Sequence, residues 1–421
     1  MDNTLKPQAR VVLGVALGLR LLVLGIILAK YPRDWLYTRG MEMGLLAKSL
    51  LAGDGLSSPF GGATGPTAFI APGYPILVAG IFRLFGVYSF RSVIVILLFQ
   101  VAINLATIWL IMSLADELFD RRTALLAGWV WACSPPLLWL PTIFWDTSIS
   151  ICALLGVMSL ALRIRRDPSR KLWILMGACC GITGLVNPAL ILVLAAIICW
   201  AGWQNTREHR TGMIAAAIAA LIVFSPWPIR NAYAFHAFVP LRTTVGFELW
   251  MGNHPGSTGY LDESLFPTFN PQELADYDRM GEIAYTSHKS QLAETYIRQH
   301  PARFAVLTLR RIFRFWTGTG TQNGSLLFVI HAAITSFTGL AGLFLLLRLR
   351  RLSEGVLFFI PILLFPLPYY ITHAEFRYRL VIDPELVILG SFALVDLFAR
   401  RQGTSAHDSS TGVATIAKAD V

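Results

Sequence analysis

Long apolar runs recur along this chain. They cover 11–30, 73–88, 91–115, 122–141, 146–164, 172–186, 187–203, 211–228, 325–347, 354–371 and 380–399. A helix needs about 20 mainly apolar residues to cross the hydrocarbon core of a bilayer. About eleven such segments predict an all-α polytopic membrane protein, with a loop of mixed polarity at 229–324 between the eighth and ninth. The balance of residue types agrees. The 421 residues are 55% hydrophobic and only 14% charged, against about 25% charged in soluble proteins.

The net charge of +10 raises the question of nucleic acid. No basic tract is interleaved with exposed aromatics, as such a surface needs, so nucleic acid is not expected as a partner. The excess reads instead as positive-inside bias and contact with anionic lipid. Cys133, Cys152, Cys179, Cys180 and Cys199 all lie in apolar segments without metal-ligand spacing, which argues against a structural zinc site. The first apolar run lacks a convincing cleavage site and is expected to be a retained span.

Basic clusters fix the expected orientation. Lys6/Arg10, Arg121/Arg122, Arg163 to Lys171, Arg207/Arg210, Arg348 to Arg351 and Arg400/Arg401 belong in the cytoplasm by the positive-inside rule. Both termini are then cytoplasmic. Segment 31–72, Asp146, the 229–324 loop and 373–379 all fall outside. An odd number of crossings must separate 31–72 from Arg121, yet two apolar segments lie between; the short 73–88 is expected to be re-entrant or interfacial. The expected divisions are an N-terminal catalytic module (1–228), the outer loop (229–324), C-terminal helices (325–401) and a disordered tail (402–421).

Three polar sites stand out against this background. Glu42 opens a short helix after the first span, which Gly53 and Gly55 should end. Asp146 heads a later span after Trp145. His373-Ala374-Glu375-Phe376-Arg377-Tyr378-Arg379 precedes the last one. Ionisable groups near membrane depth are costly and mark function by default. Each also has a plainer explanation. Glu42 complements a helix dipole, and Asp146 is a favoured N-cap residue. Arg230, in Pro226-Trp227-Pro228-Ile229-Arg230-Asn231, either meets a phosphate or snorkels beside an anchoring tryptophan. Arg377 and Arg379 lie on the expected outer side, against the charge trend, and suit a phosphate. The turn from Glu248 to Asn253 could contact a sugar. A basic, aromatic amphipathic helix at 301–316 suits an anionic membrane surface.

In order along nearly the whole chain, these motifs resemble the GT-C superfamily of polytopic glycosyltransferases, in particular its protein O-mannosyltransferase and aminoarabinose-transferase branch. The features that carry the resemblance are Leu51-Ala52-Gly53-Asp54-Gly55, Gly65-Pro66-Thr67-Ala68 followed by Pro72-Gly73-Tyr74-Pro75, and Trp145-Asp146. Asn187-Pro188, Pro226 to Asn231, the 248–253 turn and Arg377-Tyr378-Arg379 complete the set. The resemblance implies a polyprenyl-phosphate sugar donor and a glycan, lipid or protein acceptor on the non-cytosolic face of a bacterial inner membrane. It gives the catalytic role to Glu42, with Asp34 in reserve because Arg39 stands where many relatives carry an aspartate, and makes Asp146 a further catalytic candidate. Arg39, Tyr74, Arg230, Asn231, Glu248, Asn253, Arg377, Tyr378 and Arg379 become substrate-binding candidates. Some members bind a divalent cation; no ligand set here matches one. The rival expectation is a transporter or flippase of lipid-linked sugars. It predicts internal repeats and polar residues at the midplane, whereas the acids lie at span ends.

Overall fold

The computed structural model describes residues 6–204, 206–319 and 326–416, without the side chains of Lys6, Arg39 and 402–416. Among the described residues there is no β-strand, only an isolated bridge between Ser57 and Pro66. Every apolar segment read from the sequence is helical. The order begins with α1 (Lys6–Lys30), α2 (Met41–Ala52), α3 (Gly73–Phe85), α4 (Phe90–Leu118), α5 (Arg121–Cys133), α6 (Pro135–Leu138), α7 (Thr147–Arg166), α8 (Arg170–Val186), α9 (Ile191–Ala201) and α10 (Arg207–Phe224). The middle region folds as α11 (Pro226–Phe235), α12 (Val245–Gly252), α13 (Pro271–Met280), α14 (Glu282–Gln299) and α15 (Pro301–Thr317). The chain closes with α16 (Leu326–Arg348), α17 (Leu352–Leu364), α18 (Leu367–Ile371), α19 (Phe376–Arg379) and α20 (Asp383–Ile416). The last helix thus runs into the segment expected to be a disordered tail. Propagating an existing helix is far easier than nucleating one.

Six of the described helices are long and apolar enough to span a bilayer by themselves, so the chain is an integral membrane protein. A seventh span forms if 121–142 is counted as one, but it bends by 67°. Pro135 and Pro136 cause the break, because proline cannot donate to the preceding turn. The sequence pattern reads 122–141 as one apolar segment. At 1.5 Å per residue, α3 is about 20 Å long, short of the ~30 Å hydrocarbon core. It is the segment whose crossing the charge pattern left in difficulty.

Small residues let these helices meet closely, as membrane bundles require. A Cβ on Gly339 or Gly342 of α16 would strike Leu386 or Leu389 of α20, and one on Gly177 of α8 would strike Ala216 of α10. One charged side chain inside the bundle is fully paired. Arg20 of α1 is fully buried and donates to Asn104 Oδ1 at 2.6 Å and to the carbonyls of Ala16, Trp131 and Ala132. At one end of the bundle Arg166 pairs with Glu117, Arg121 with Gln8 and Arg351 with Glu354. The three acidic segments and helices α12–α15 gather at the other end.

Candidate active site

Two close approaches assemble the acidic end. A Cβ on Gly40 would sit 2.5 Å from the Phe144 carbonyl oxygen. Glycine there lets the start of α2, with Glu42 in its first turn, lie against Phe144-Trp145-Asp146. A Cβ on Gly252 would sit 1.7 Å from the Thr372 oxygen, so glycine also lets α12, which carries Glu248, press on the segment before α19. That segment is then pinned. Asn253 donates to the Ile371 carbonyl at 2.8 Å, and the buried Arg311 of α15 donates to the carbonyls of Gly252, Tyr370 and Ile371 and to Asn253 Oδ1.

The result is a cluster in which acids surround two guanidinium groups. Arg377 lies 4.4 Å over the Trp145 ring and 3.8 Å from the Glu375 carboxylate. Its charge reaches Glu42, Asp146 and Glu248. Arg242, fixed by donating to the Phe69 carbonyl at 2.9 Å, reaches Asp146 and Glu248. Glu248 and Arg377 each keep about a quarter of their side-chain surface accessible, so both can be reached from outside.

The acids differ in their electrostatics. Burial pushes the Glu42 carboxyl above its ordinary range, with Arg377 opposing only in part. Burial likewise raises Asp146, against a hydrogen bond from Ser150 and the charges of Arg377 and Arg242. Burial also acts upward on Glu248, but His373, with Arg242 and Arg377, outweighs it and holds that carboxyl low. His373 Nδ1 is 3.1 Å from Glu248 Oε2, and its Nε2 is 2.9 Å from the Tyr378 hydroxyl.

Asp146 heads α7, yet its carboxylate makes no capping bond to the helix. It accepts instead from the Ser150 hydroxyl at 2.9 Å, and Asn187 donates to that hydroxyl at 3.2 Å. The capping explanation for Asp146 is therefore not realised, and Asn187 acquires an indirect hold on it. Tyr74 is 1% exposed, stacks edge-on against Phe144, lies within reach of Asp146, and its hydroxyl has no protein partner. Among the described residues no three His, Cys, Asp or Glu side chains gather as a set able to hold a metal ion, and two arginines stand among the acids.

Several residues expected here point elsewhere. Arg379 is fully buried and turns into the bundle. It donates to Asp383, Thr335, Ser336 and the Ala332 carbonyl, and His331 pairs with the same Asp383. A group neutralised in this way is not free for a phosphate. Arg230 donates to the carbonyls of Leu56 and Thr67 and to Asn231 Oδ1, which clamps the first loop. Asn231 is buried and holds the Val239 carbonyl, and Asn253 is spent on Leu249, Ile371 and Arg311. Asp34 is exposed ahead of the short helix Trp35–Arg39. The Arg39 side chain lies outside the described residues. In α15, Arg303 and Arg314 donate to the Ser257 and Thr258 carbonyls, so both hold a neighbouring loop.

The sequence reading missed Arg242, His373 as an individual site residue, and Glu282. The buried Glu282 accepts from Thr67, the Ala68 amide, Thr243 and Tyr277, tying the first loop to α13 and α14. Arg242 carried one available signal: like Arg377, it is basic on the expected outer side.

Residues 70–229 match the family of dolichyl-phosphate-mannose-protein mannosyltransferases. No curated protein matches the chain. Among solved structures it is similar to the oligosaccharyltransferase of Archaeoglobus fulgidus in its apo form, at 14% identity and a TM-score of 0.56, covering 97% of this chain and 52% of that one. The same enzyme in complex with an inhibitory peptide and a dolichol-phosphate gives 13% identity and a TM-score of 0.54, again covering 97% and 52%. The chain therefore spans about half the length of these enzymes. ArnT from Cupriavidus metallidurans bound to undecaprenyl phosphate shares 14% identity, covering 93% of this chain and 77% of that one, with a TM-score of 0.38, too low to argue from. Over nearly its whole length the chain thus shares the fold of the Archaeoglobus fulgidus oligosaccharyltransferase.

Proposed function

We propose that this GT-C-fold membrane protein is a glycosyltransferase that takes its sugar from a polyprenyl-phosphate donor and passes it to an acceptor hydroxyl on the non-cytosolic face. The observation that carries this is the cluster in which Glu42 and Asp146, both raised by burial, share the charge of Arg377, with Arg242 also reaching Asp146. The family match over 70–229 and the dolichol-phosphate bound to the similar oligosaccharyltransferase support the class of donor.

The chemistry follows from charge. A lipid phosphate is already a good leaving group. The reaction needs a base for the acceptor hydroxyl and positive charge where the phosphate departs. Glu42 is the base, and its raised pKa brings it closer to the operating pH, where general bases work best. Arg377 and Arg242 hold the phosphate by charge-assisted hydrogen bonds. Asp146, steadied through Ser150 and Asn187, orients the acceptor. Attack on the face opposite the phosphate inverts the anomeric carbon in one displacement. The choice of acceptor is set by the 229–324 region. No step is routed through a metal, since the carboxylates here are interleaved with arginines.

Sugar release from a panel of polyprenyl-phosphate sugars, by the purified protein beside Glu42→Gln, tests this reading. Turnover with at least one donor that is lost in the variant while the donor still binds is the expected result. Equal turnover in both proteins removes Glu42 as base. No turnover with any donor overturns the reading.

A further inference from the structure

His373 has more partners than packing requires. It is 2% exposed; its Nε2 is hydrogen-bonded to the Tyr378 hydroxyl at 2.9 Å, and its Nδ1 lies 3.1 Å from the Glu248 carboxylate as an ion-pair contact. The Arg377 guanidinium lies beside that hydroxyl. A carboxylate at Nδ1 fixes the tautomer with its hydrogen on Nδ1, so a neutral His373 accepts at Nε2 from Tyr378. A protonated His373 donates at Nε2 instead. The Tyr378 oxygen then becomes the acceptor, and its own hydrogen is free for another oxygen.

We propose that His373 is a positioning residue whose protonation turns the Tyr378 hydroxyl toward the bound lipid phosphate as negative charge builds there. This rests on the donor reading above. The donor phosphodiester carries one negative charge. When the bond between the anomeric carbon and the phosphate oxygen breaks, its electron pair stays on that oxygen, which leaves a phosphomonoester with two. His373 takes a proton from the buffered solvent, and the Tyr378 hydrogen swings to the phosphate. The acceptor's proton goes to Glu42, so the site gains one proton from solvent overall, which offsets the second negative charge on the phosphate. The charged and titratable groups around the pair are Glu42 on α2, Asp146 at the head of α7, Arg242 before α12 and Glu248 on it. Arg311 on α15, Tyr369 on α18, and Glu375 and Arg377 beside Tyr378 complete them. The protonation of His373 is the one change among them that reverses a hydrogen bond at Tyr378.

The test is binding of undecaprenyl monophosphate to the full chain in detergent, with undecaprenol as the phosphate-free control. It is run at about pH 6 and about pH 8, bracketing the ordinary range of histidine. The lipid's own second ionisation, near about 6, acts equally on every variant, so the ratio of the two affinities is compared between proteins. Wild type should favour the lower pH about tenfold more than His373→Gln, which can bridge Glu248 and Tyr378 but cannot take a proton. Calorimetry in two buffers of different ionisation enthalpy should show proton uptake on binding by wild type that exceeds the uptake by His373→Gln at the same pH. Equal ratios, or equal uptake by the two proteins, overturn the role of His373 and leave the donor reading standing. No preference for the phosphate over the alcohol at either pH overturns the donor reading, and this role with it.

Discussion

Glu282 offers the sharpest test of how the site is held together. Its side chain is 4% exposed. Oε1 accepts from the Ala68 amide and the Thr243 hydroxyl, each at 2.7 Å, and Oε2 from the Thr67 and Tyr277 hydroxyls. A hydrogen bond to a charged group is worth about 1.5–3 kcal/mol net. Four would sum to about 6–12 kcal/mol, but the carboxylate's own desolvation offsets much of this. Glu282→Ala strands the donors and should cost about 3–5 kcal/mol. Glu282→Gln keeps one acceptor oxygen and turns its amide on the remaining donors, for about 1–3 kcal/mol. Thr243→Ala removes a single contact, for about 0.5–1.5 kcal/mol. The order of thermal midpoints in detergent should therefore be wild type, Thr243→Ala, Glu282→Gln, Glu282→Ala. Protease should cut the 53–72 segment first in Glu282→Ala, because that segment loses its main anchor. A Glu282→Ala midpoint equal to wild type would refute the argument that this carboxylate ties the first loop to α13 and α14.

Glu42→Gln should lower turnover about 10²–10⁴-fold, the usual worth of a general base, and should raise the thermal midpoint at neutral pH, because it removes a carboxylate that burial disfavours. Since the ionised form is the base and burial raises the Glu42 pKa, turnover at saturating donor should fall with decreasing pH through an apparent pKa above the ordinary ~4.3; a rate still flat at that pH contradicts the assignment. Arg377→Ala should weaken binding of a polyprenyl phosphate by about 1.5–3 kcal/mol, measured by titration, while the protein stays folded. Arg379→Met should do the reverse. Leaving Asp383 buried and short of its partner costs about 3–5 kcal/mol, so the yield of folded protein drops while the folded fraction keeps its affinity.

The helices were legible in the sequence because apolarity over about 20 residues is a local property. So was the gathering of Glu42, Asp146 and Arg377 at one end, because basic residues elsewhere assigned the ends. Arg377 was visible as an arginine next to a span on the side that the positive-inside rule disfavours. The fates of Arg230 and Arg379 were hidden. Both lie beside apolar segments as Arg377 does, but the carbonyls of Leu56 and Thr67 and the carboxylate of Asp383 come within their reach only once the chain is folded. Arg242, His373 and Glu282 were hidden for the converse reason. They are ordinary polar residues of loops and short helices until Gly40 and Gly252 let distant backbones touch. The bend at Pro135–Pro136 could have been read locally; the apolar run around it masked the break.

The central claim is that one cluster holds both the departing phosphate and the base. The measurement that meets it most directly is a structure of the protein with a polyprenyl-phosphate sugar bound, in the Glu42→Gln variant to prevent turnover. The account predicts phosphate oxygens about 2.7–2.9 Å from the guanidinium groups of Arg377 and Arg242, with the anomeric carbon presented toward residues 42 and 146. A phosphate seated away from both arginines, or a sugar turned away from those two positions, would contradict it.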